Sequence, residues 1–217
     1  MNLREKYGEW GIILGATEGV GKAFAEKIAS EGMSVVLVGR REEKLQELGK
    51  SISETYGVDH MVIRADFAQS DCTDKIFEAT KDLDMGFMSY VECFHTFGKL
   101  QDTPWEKHEQ MINVNVMTFL KCFYHYMGIF AKQDRGAVIN VSSLTAISSS
   151  PYNAQYGAGK SYIKKLTEAV AAECESTNVD VEVITLGTTI TPSLLSNLPG
   201  GPAGEAVMKA AMTPEAC

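Results

Sequence analysis

The stretch that decides the fold reads Ile12-Ile13-Leu14-Gly15-Ala16-Thr17-Glu18-Gly19-Val20-Gly21. An apolar run is followed directly by a glycine-rich turn, and the turn opens an amphipathic segment. A strand, a tight turn and a helix in this order can hold a pyrophosphate, because glycines allow close backbone approach and a helix N-terminus favours negative charge. Such turns also occur in folds that bind no nucleotide, so the stretch needs support from elsewhere in the chain. We expect the turn to bind the phosphates of a dinucleotide through Gly15, Thr17, Glu18, Gly19, Val20 and Gly21. Because a carboxylate beside a phosphate is unfavourable, we expect the Glu18 side chain to turn to solvent.

The rest of the chain alternates β-rich runs with helical patterns, which is typical of a parallel sheet covered by helices. We predict an α/β fold, with a doubly wound parallel sheet and helices on both faces, in a single domain over residues 1–217. The predicted strands are 11–14, 35–38, 60–64, 87–91, 137–141 and 181–186, and the predicted helices are 19–31, 42–56, 73–81, 105–131 with an early break, and 155–176. Right-handed crossovers place the carboxyl ends of all strands along one edge, where we expect a ligand crevice.

Three residues in the second half of the chain suggest proton-transfer chemistry. Tyr156 and Lys160 lie one helical turn apart, and Ser143 precedes Tyr156 by thirteen positions. The pKa of tyrosine is ordinarily about 10, and a lysine ammonium at i+4, together with an oxidised nicotinamide ring, would favour the phenolate. Ser143 could hold a substrate oxygen beside that phenol. With the glycine-rich turn, this set predicts a nicotinamide-dependent oxidoreductase; taken alone, Tyr156 and Lys160 could be an ordinary surface helix.

The composition excludes several classes of function. The formal net charge is −8 and the pI is about 5.1, whereas nucleic-acid binding needs a dense basic face. No apolar run approaches the roughly 20 residues that span a bilayer, and the N-terminus has no signal-peptide core. The five cysteines form no Cys-x-x-Cys pair and the four histidines show no metal-binding spacing. We therefore expect a cytoplasmic protein with reduced thiols, without a metal and without a nucleic-acid or membrane partner.

The end of the second predicted strand indicates the choice of cofactor. NAD-binding sites place an acidic residue there for the ribose 2′-hydroxyl, but this chain has Gly39 followed by Arg40 and Arg41. An arginine fork suits a 2′-phosphate, and we predict NADP(H) as the cofactor. In the alternative, the two arginines only pair with Glu42, Glu43 or solvent.

The glycine-rich turn, Ser143, Tyr156, Lys160 and an Asn115 in Ile112-Asn113-Val114-Asn115-Val116 together resemble the short-chain dehydrogenase/reductase family. The resemblance covers nearly the whole chain and implies a Rossmann-type fold. It implies that Ser143 steadies the reacting oxygen and that Tyr156 transfers the proton. It also implies that Lys160 lowers the pKa of Tyr156 and holds the nicotinamide ribose. Asn115 would anchor a water relay. Spacing to Tyr156 favours Ser143 over Ser142. The implied cofactor contacts also include Asp66 and Phe67 for the adenine, and Gly187 and Thr189 beyond the sixth strand.

Two stretches depart from the common family pattern, at residues 90–98 and 186–192. A degenerate, non-catalytic relative could show such changes, but decay would not be expected to spare all four catalytic positions. Residues 10–17, 84–90 and 186–195 resemble a bacterial subgroup of the family, the NADP-dependent 7β-hydroxysteroid dehydrogenases that act on bile acids. The resemblance implies interconversion of a 7-oxo and a 7β-hydroxy bile acid. Two alternatives stay open: an NADPH-dependent reductase of another ketone, such as a 3-oxoacyl thioester, and an NADP(H)-binding regulator without turnover.

The C-terminal segment lacks the β-rich run that usually closes such a sheet, so we expect the final strand to be missing and the chain to be part of a longer polypeptide. Residues 189–204 hold leucines among prolines and glycines, which suits an apolar lid over a flat ligand, although a plain surface loop has the same composition. We assign residues 193–217 to this lid region, and we expect the loop 145–155 to line the substrate pocket with it.

The predicted helix 105–131 carries more aromatic area than one buried stripe requires. Its large side chains include Phe119, Phe123, Tyr124, Tyr126, Met127 and Phe130. Because the family commonly pairs through this helix and the one that carries Tyr156, the resemblance implies a homodimer or homotetramer. A plain core helix is the alternative.

Overall fold

The computed structural model describes residues 2–149, 151–191, 194–195, 208–209 and 211–213. Within them, six parallel strands form one sheet in the order β3-β2-β1-β4-β5-β6. The chain order reverses between β1 and β4, and ligands of doubly wound folds bind in the crevice at that point. The predicted fold class is confirmed. The strands are β1 (Trp10–Leu14), β2 (Ser34–Gly39), β3 (His60–Arg64), β4 (Met85–Tyr90), β5 (Gly136–Ser143) and β6 (Val179–Leu186).

Helices connect the strands and follow the predicted pattern, with one addition at the N-terminus. A short helix at Leu3–Tyr7 precedes β1, and a capping box between Asn2 and Glu5 starts it. The predicted break in the long helix is a π-helical segment at Asn113–Thr118, which separates α5 from α6. The helices are α1 (Leu3–Tyr7), α2 (Gly19–Ser30), α3 (Glu42–Tyr56), α4 (Cys72–Thr80), α5 (Trp105–Ile112), α6 (Phe119–Gln133) and α7 (Ala154–Glu173).

The sheet is covered on both faces because its strands are apolar on both sides. Ile12 and Leu14 of β1 belong to a core shared with α4, α6 and α7, whereas Ile13 between them belongs to a second core shared with α1, α2 and α3. This alternation is the two-residue period of a strand. Four of the aromatic side chains that the sequence singled out on α6 are buried in the first of these cores, namely Phe119, Phe123, Tyr126 and Phe130.

The junction between β1 and α2 requires glycine at two positions. Gly15 ends the strand with φ +104°, and a Cβ there would come within 2.6 Å of the Glu92 nitrogen. Gly21 lies in the first turn of α2, where a Cβ would approach the Gly15 carbonyl oxygen to 1.9 Å. No side chain fits so close a contact, so these glycines let the helix N-terminus sit directly against the strand end.

Most of the expected lid lies outside the described residues, because residues 193, 196–207, 210 and 214–217 are not described. Leu198 is among them. In the part that is described, Thr189 forms an isolated parallel bridge with Met212. The described helices include none that is long and apolar enough to cross a membrane.

We expect the replacement Gly21→Ala to lower the free energy of unfolding by about 1–3 kcal/mol, because the added methyl group overpacks the β1–α2 junction. Gly128→Ala is the matched control. Gly128 lies on the exposed side of α6 with nothing within 4 Å of a built Cβ, and alanine there should add about 0.5–1 kcal/mol. Urea unfolding of both variants measures the difference, and equal stabilities would contradict the tight junction.

Candidate active site

A cleft of about 450 Å³ runs along the carboxyl ends of the strands. One end lies at the glycine-rich turn and the start of α3, and the other lies between β5, α7 and the segment after β6. The fold thus brings together positions that are more than 170 residues apart in the chain. The predicted site residues that line it are Gly15, Thr17, Glu18, Val20, Gly21, Arg40, Arg41, Ser143, Tyr156, Lys160, Gly187 and Thr189.

Ser143 and Tyr156 both line the inner end of the cleft, where hydrogen bonding from the Ser143 side chain acts to lower the pKa of the Tyr156 phenol. The Ser143 hydroxyl oxygen also accepts hydrogen bonds from Thr145, at 3.2 Å from the backbone nitrogen and 3.0 Å from the side-chain hydroxyl. These two bonds hold the serine oxygen in place at the end of β5. Burial raises the pKa of Tyr156, the nearby Cys93 raises it further, and the bond from Ser143 opposes the shift.

Lys160 is almost fully buried one turn further along α7. Its ammonium nitrogen lies 2.8 Å from the Val141 carbonyl oxygen, to which it donates, and 5.9 Å from the centre of the Tyr156 ring. The Ser142 hydroxyl donates to the Lys160 carbonyl at 2.8 Å. Ser142 therefore anchors the backbone of α7 to β5, a role distinct from that of its neighbour Ser143.

The pKa of Tyr156 does not follow the expectation from sequence. The spacing predicted that the Lys160 ammonium would lower it, whereas burial of the phenol dominates and raises it. Burial also lowers the pKa of Lys160, against the opposing influence of Cys93 and Glu92. The i+4 spacing placed both groups on one helix face correctly, but it contained no information about how far the site is withdrawn from water.

Asn115 lies beside α7, but its side chain is already engaged. The amide nitrogen donates to the Phe94 carbonyl at 2.7 Å, and the amide oxygen accepts from the Phe94 nitrogen at 2.8 Å. The side chain is buried in the π-helical segment and is not part of the cleft lining. It fixes the loop after β4, so in this structure Asn115 is a positioning residue for that loop, and a water relay through it stays a prediction.

Two histidines near Tyr156 were missed by the sequence analysis. The His95 ring lies 5.5 Å from the Tyr156 ring and lines the cleft, and burial lowers its pKa. His108 on α5 is paired with Gln155, whose amide donates back to the His108 carbonyl at 2.8 Å. This second pair ties the start of α7 to α5 immediately before Tyr156. Only the unusual composition of residues 90–98 could have pointed to His95, and no sequence signal marked His108.

Glu92 and Cys93 also line the cleft without having been predicted as site residues. They stand directly after β4, inside one of the stretches that departs from the common pattern. Burial raises the pKa of Glu92, while the charges of Arg40 and Lys160 oppose that shift. The carboxyl group thus lies within the electrostatic influence of both ends of the cleft.

The acidic residue of the glycine-rich turn is not turned to solvent as predicted. A Glu18 carboxylate oxygen lies 2.7 Å from an Arg41 guanidinium nitrogen and 3.7 Å from the Lys44 ammonium, and the side chain is only 25% exposed. The expectation was wrong because the start of α3, distant in sequence, brings two cations to the turn. The sequence analysis left open that Arg41 pairs with Glu42 or Glu43. In the structure, Arg41 pairs with Glu18 instead.

The other predicted cofactor contacts divide into two groups. Gly19 has φ +59° and belongs to the turn, although it does not line the cleft. Asp66 is exposed and caps its own loop by accepting from the Ala68 nitrogen at 3.1 Å. Phe67 is buried in the core, and its carbonyl accepts from Thr118 at 2.9 Å. The Phe67 side chain thus faces the core, and an adenine contact at Asp66 and Phe67 stays a prediction.

The residues at the outer end of the cleft fit a phosphorylated dinucleotide. Gly15 and Gly21 leave a backbone cradle that a Cβ would fill, and α2 presents its N-terminus there. Arg40 and Arg41 line the same cleft and can bind a further phosphate. The structure therefore combines a phosphate cradle with a serine, a tyrosine and a buried lysine.

Comparison with known proteins agrees with this geometry. The family model for short chain dehydrogenase matches residues 9–198. A 7β-hydroxysteroid dehydrogenase of Mediterraneibacter gnavus is 76% identical over 215 residues, which cover 99% of this chain and 82% of that protein. Another, from Collinsella aerofaciens, is 76% identical over 217 residues, with 100% and 82% coverage.

Solved structures give the same result for the fold. One from work on 7β-hydroxysteroid dehydrogenase stereoselectivity superimposes with a TM-score of 0.92 at 76% identity, and covers 99% of this chain and 83% of that one. A short-chain dehydrogenase from Sphingobium yanoikuyae in complex with NADPH has a TM-score of 0.83 at 21% identity, covering 93% and 82%. Given the family match and these relatives, the chain belongs to the short-chain dehydrogenase family, and it is an oxidoreductase that acts on CH–OH groups.

Proposed function

We propose that this protein is an NADP(H)-dependent enzyme that interconverts a 7-oxo and a 7β-hydroxy group on bile acids. The observation that carries the proposal is the Ser143–Tyr156 pair at one end of a cleft whose other end holds two arginines. The names of the 76%-identical relatives support the position and the face of the reacting hydroxyl, which the geometry alone does not specify. The described cysteines are unbridged, which is consistent with the proposed cytoplasmic location.

In the proposed reduction, Ser143 and Tyr156 act on the substrate oxygen. The Ser143 oxygen already accepts two hydrogen bonds from Thr145, so the serine is left to donate its own proton, and on substrate binding this proton turns from Tyr156 to the carbonyl oxygen of the substrate. Tyr156 donates its phenolic proton to the same oxygen as negative charge develops there. A bound nicotinamide ring supplies or accepts the hydride. Lys160, which lines the cleft one turn further along α7, would supply positive charge near the phenol and would hold the nicotinamide ribose.

The direction of the reaction determines how pH acts through Tyr156. Because burial raises the pKa of the phenol, the tyrosine stays protonated at neutral pH and is ready to donate a proton in ketone reduction. Alcohol oxidation needs the phenolate, which forms only as the pH rises. Oxidation should therefore accelerate as the medium becomes more alkaline, whereas reduction should not.

The substrate end of the cleft is apolar around these polar groups. Leu144 and Leu194 line it beside Ser143, and Phe97 lines it after β4. Such walls with a few convergent polar groups suit a rigid, flat, largely apolar ligand such as a steroid. Residues Thr145 and Asn153 of the loop 145–155 also line the cleft, as predicted.

Two alternatives compete with this proposal. Reduction of a 3-oxoacyl thioester would use the same Ser143 and Tyr156, but the described structure shows nothing that favours a flexible chain over a steroid. The second alternative is a non-catalytic regulator, and an inactive hydroxysteroid dehydrogenase-like protein 1 of Rattus norvegicus is 32% identical over 188 residues, which cover 83% of this chain and 56% of that protein. The joined Ser143, Tyr156 and Lys160 set argues for turnover.

We also propose that the protein assembles into a homodimer or homotetramer through α5, α6 and α7. The aromatic side chains of α6 are mostly core, but Tyr124 is 80% exposed and Met117 before it is 45% exposed. Trp105 and Ile112 on α5 are exposed as well. The proposal takes these four exposed side chains as one patch along α5 and α6 that a second copy of the chain covers.

The bile-acid proposal predicts NADPH oxidation by the protein on addition of a 7-oxo bile acid, measured by NADPH absorbance. Tyr156→Phe should reduce kcat by at least about 100-fold, because it removes the proton donor, while NADPH binding measured by fluorescence is retained. Tyr56→Phe, at an exposed tyrosine of α3, is the matched control. Oxidation of the 7β-hydroxy product should keep rising with pH up to at least about pH 10, because burial raises the pKa of Tyr156 above its ordinary value, and reduction should stay flat over the same range.

Retained turnover in Tyr156→Phe would overturn the mechanism. Tight NADPH binding without turnover of any 7-oxo bile acid would reject the steroid substrate, and a 3-oxoacyl thioester would then be assayed with the same absorbance method.

Arg40→Ala should raise the KM for NADPH about tenfold or more, because a charge-assisted contact to the 2′-phosphate is lost. The KM for NADH should change little, since that cofactor has a hydroxyl at the same position. Steady-state kinetics with both cofactors give the comparison. An equal rise for both would show that Arg40 does not recognise the 2′-phosphate.

Tyr124→Glu should shift the protein from an oligomer towards the monomer, because a buried carboxylate at an apolar interface is strongly unfavourable. Sedimentation velocity measures the assembly state. Tyr56→Glu places the same charge at another exposed tyrosine and should leave the assembly unchanged. A parent protein that sediments as a monomer would contradict the proposed interface.

A further inference from the structure

Glu18 occupies an unexpected electrostatic position at the outer end of the cleft. Its carboxylate lies 2.7 Å from Arg41 and 3.7 Å from Lys44, and both Glu18 and Arg41 line the cleft. We propose that Glu18 is an internal competitor of the cofactor 2′-phosphate for Arg41, and so limits the affinity for NADP(H) without affecting NAD(H). This inference rests on the proposed use of NADP(H).

The carboxylate has no other evident partner in the described part of the chain. Glu18 is the N-cap residue of α2, yet its side chain makes no capping hydrogen bond to the helix amides. An acidic side chain at this position would ordinarily interact with those N–H groups and with the positive end of the helix. Here it reaches across to the start of α3 instead, which leaves the helix amides available to a pyrophosphate.

The chemistry of the two anions makes them alternatives. An arginine guanidinium binds a carboxylate or a phosphate through the same N–H groups. When a 2′-phosphate approaches Arg41, the guanidinium is already paired with Glu18. The phosphate is also repelled by the negative charge of the Glu18 carboxylate. A cofactor with a 2′-hydroxyl makes no such demand on Arg41, so its affinity should not depend on Glu18.

The exposure of the pair indicates the size of the effect. The side chains of Glu18 and Arg41 are 25% and 46% exposed, so water and salt weaken their attraction. A phosphate can displace such a carboxylate, and Glu18 should reduce the affinity rather than block binding. Removing its charge should tighten NADPH binding about two- to tenfold at low salt.

The consequence for the enzyme is control of cofactor release. Product release limits turnover in many enzymes, and a competing anion beside the 2′-phosphate favours departure of the cofactor. The competition acts at the adenosine end of the cleft, far from Ser143 and Tyr156, so it can adjust affinity without disturbing the proton transfer.

The test is a double-mutant cycle with cofactor binding as the readout. Dissociation constants for NADPH and NADH would be measured by cofactor fluorescence for the parent, Glu18→Gln, Arg41→Ala and the double variant. Glu42→Gln serves as the matched control, because it removes an equal charge beside Arg41 at a residue for which the described contacts include no ion pair. Thermal unfolding confirms that each variant is folded.

We expect Glu18→Gln to lower the dissociation constant for NADPH about two- to tenfold and to leave that for NADH within about twofold. The gain should disappear in the Arg41→Ala background, shrink as salt is raised, and not be reproduced by Glu42→Gln. Unchanged NADPH binding in Glu18→Gln would overturn the inference, and weaker binding would overturn it by showing that Glu18 orients Arg41. Equal tightening for NADH would also overturn it, because the carboxylate would then act on the pyrophosphate.

The Arg41→Ala arm separates this inference from the proposed function. If Arg41→Ala weakens NADPH binding while Glu18→Gln has no effect, only the role of Glu18 fails. If the parent protein binds NADH as tightly as NADPH and Arg41→Ala changes neither, the proposed NADP(H) preference fails as well.

Discussion

The close contact between α2 and the end of β1 is the constraint on which the remaining site depends. Gly21 lies so near the Gly15 carbonyl oxygen that a side chain there would force the backbone apart. This contact brings the N-terminus of α2 to the point where the strand order reverses between β1 and β4. The backbone amides of the turn thus face the crevice directly, and the other strands align their carboxyl ends beside it.

The inner end of the cleft, with Ser143 and Tyr156, is organised by burial as much as by charge. Lys160 is withdrawn from water against the Val141 carbonyl, Ser142 holds the backbone of α7, and Gln155 is tied to α5. These contacts keep Tyr156 beside Ser143. The same burial raises the pKa of the phenol, so the surroundings favour a tyrosine that donates a proton rather than one that is permanently ionised.

At the outer end of the cleft, charge matters more than burial, because the charged side chains there remain partly in water. Arg41, Lys44 and Glu18 form a small network there with exposed edges. Interactions of this kind are weak enough to be exchanged. Under the proposed function, buried groups for proton transfer at one end and exchangeable charges for the cofactor at the other would combine precise chemistry with cofactor release.

The sequence alone determined the fold class, the approximate strands and the set of Ser143, Tyr156 and Lys160, because hydrophobic periodicity and helical spacing are local properties. It also located the break that became the π-helical segment before α6. Only the tertiary structure decided that Glu18 pairs with Arg41 and that the Phe67 side chain is buried in the core. It also decided that the Asn115 side chain hydrogen-bonds the Phe94 backbone. The contact between the His95 and Tyr156 rings was likewise visible only there. Each of those contacts joins residues from separate elements, and burial and long-range charge pairing arise only when the elements pack together.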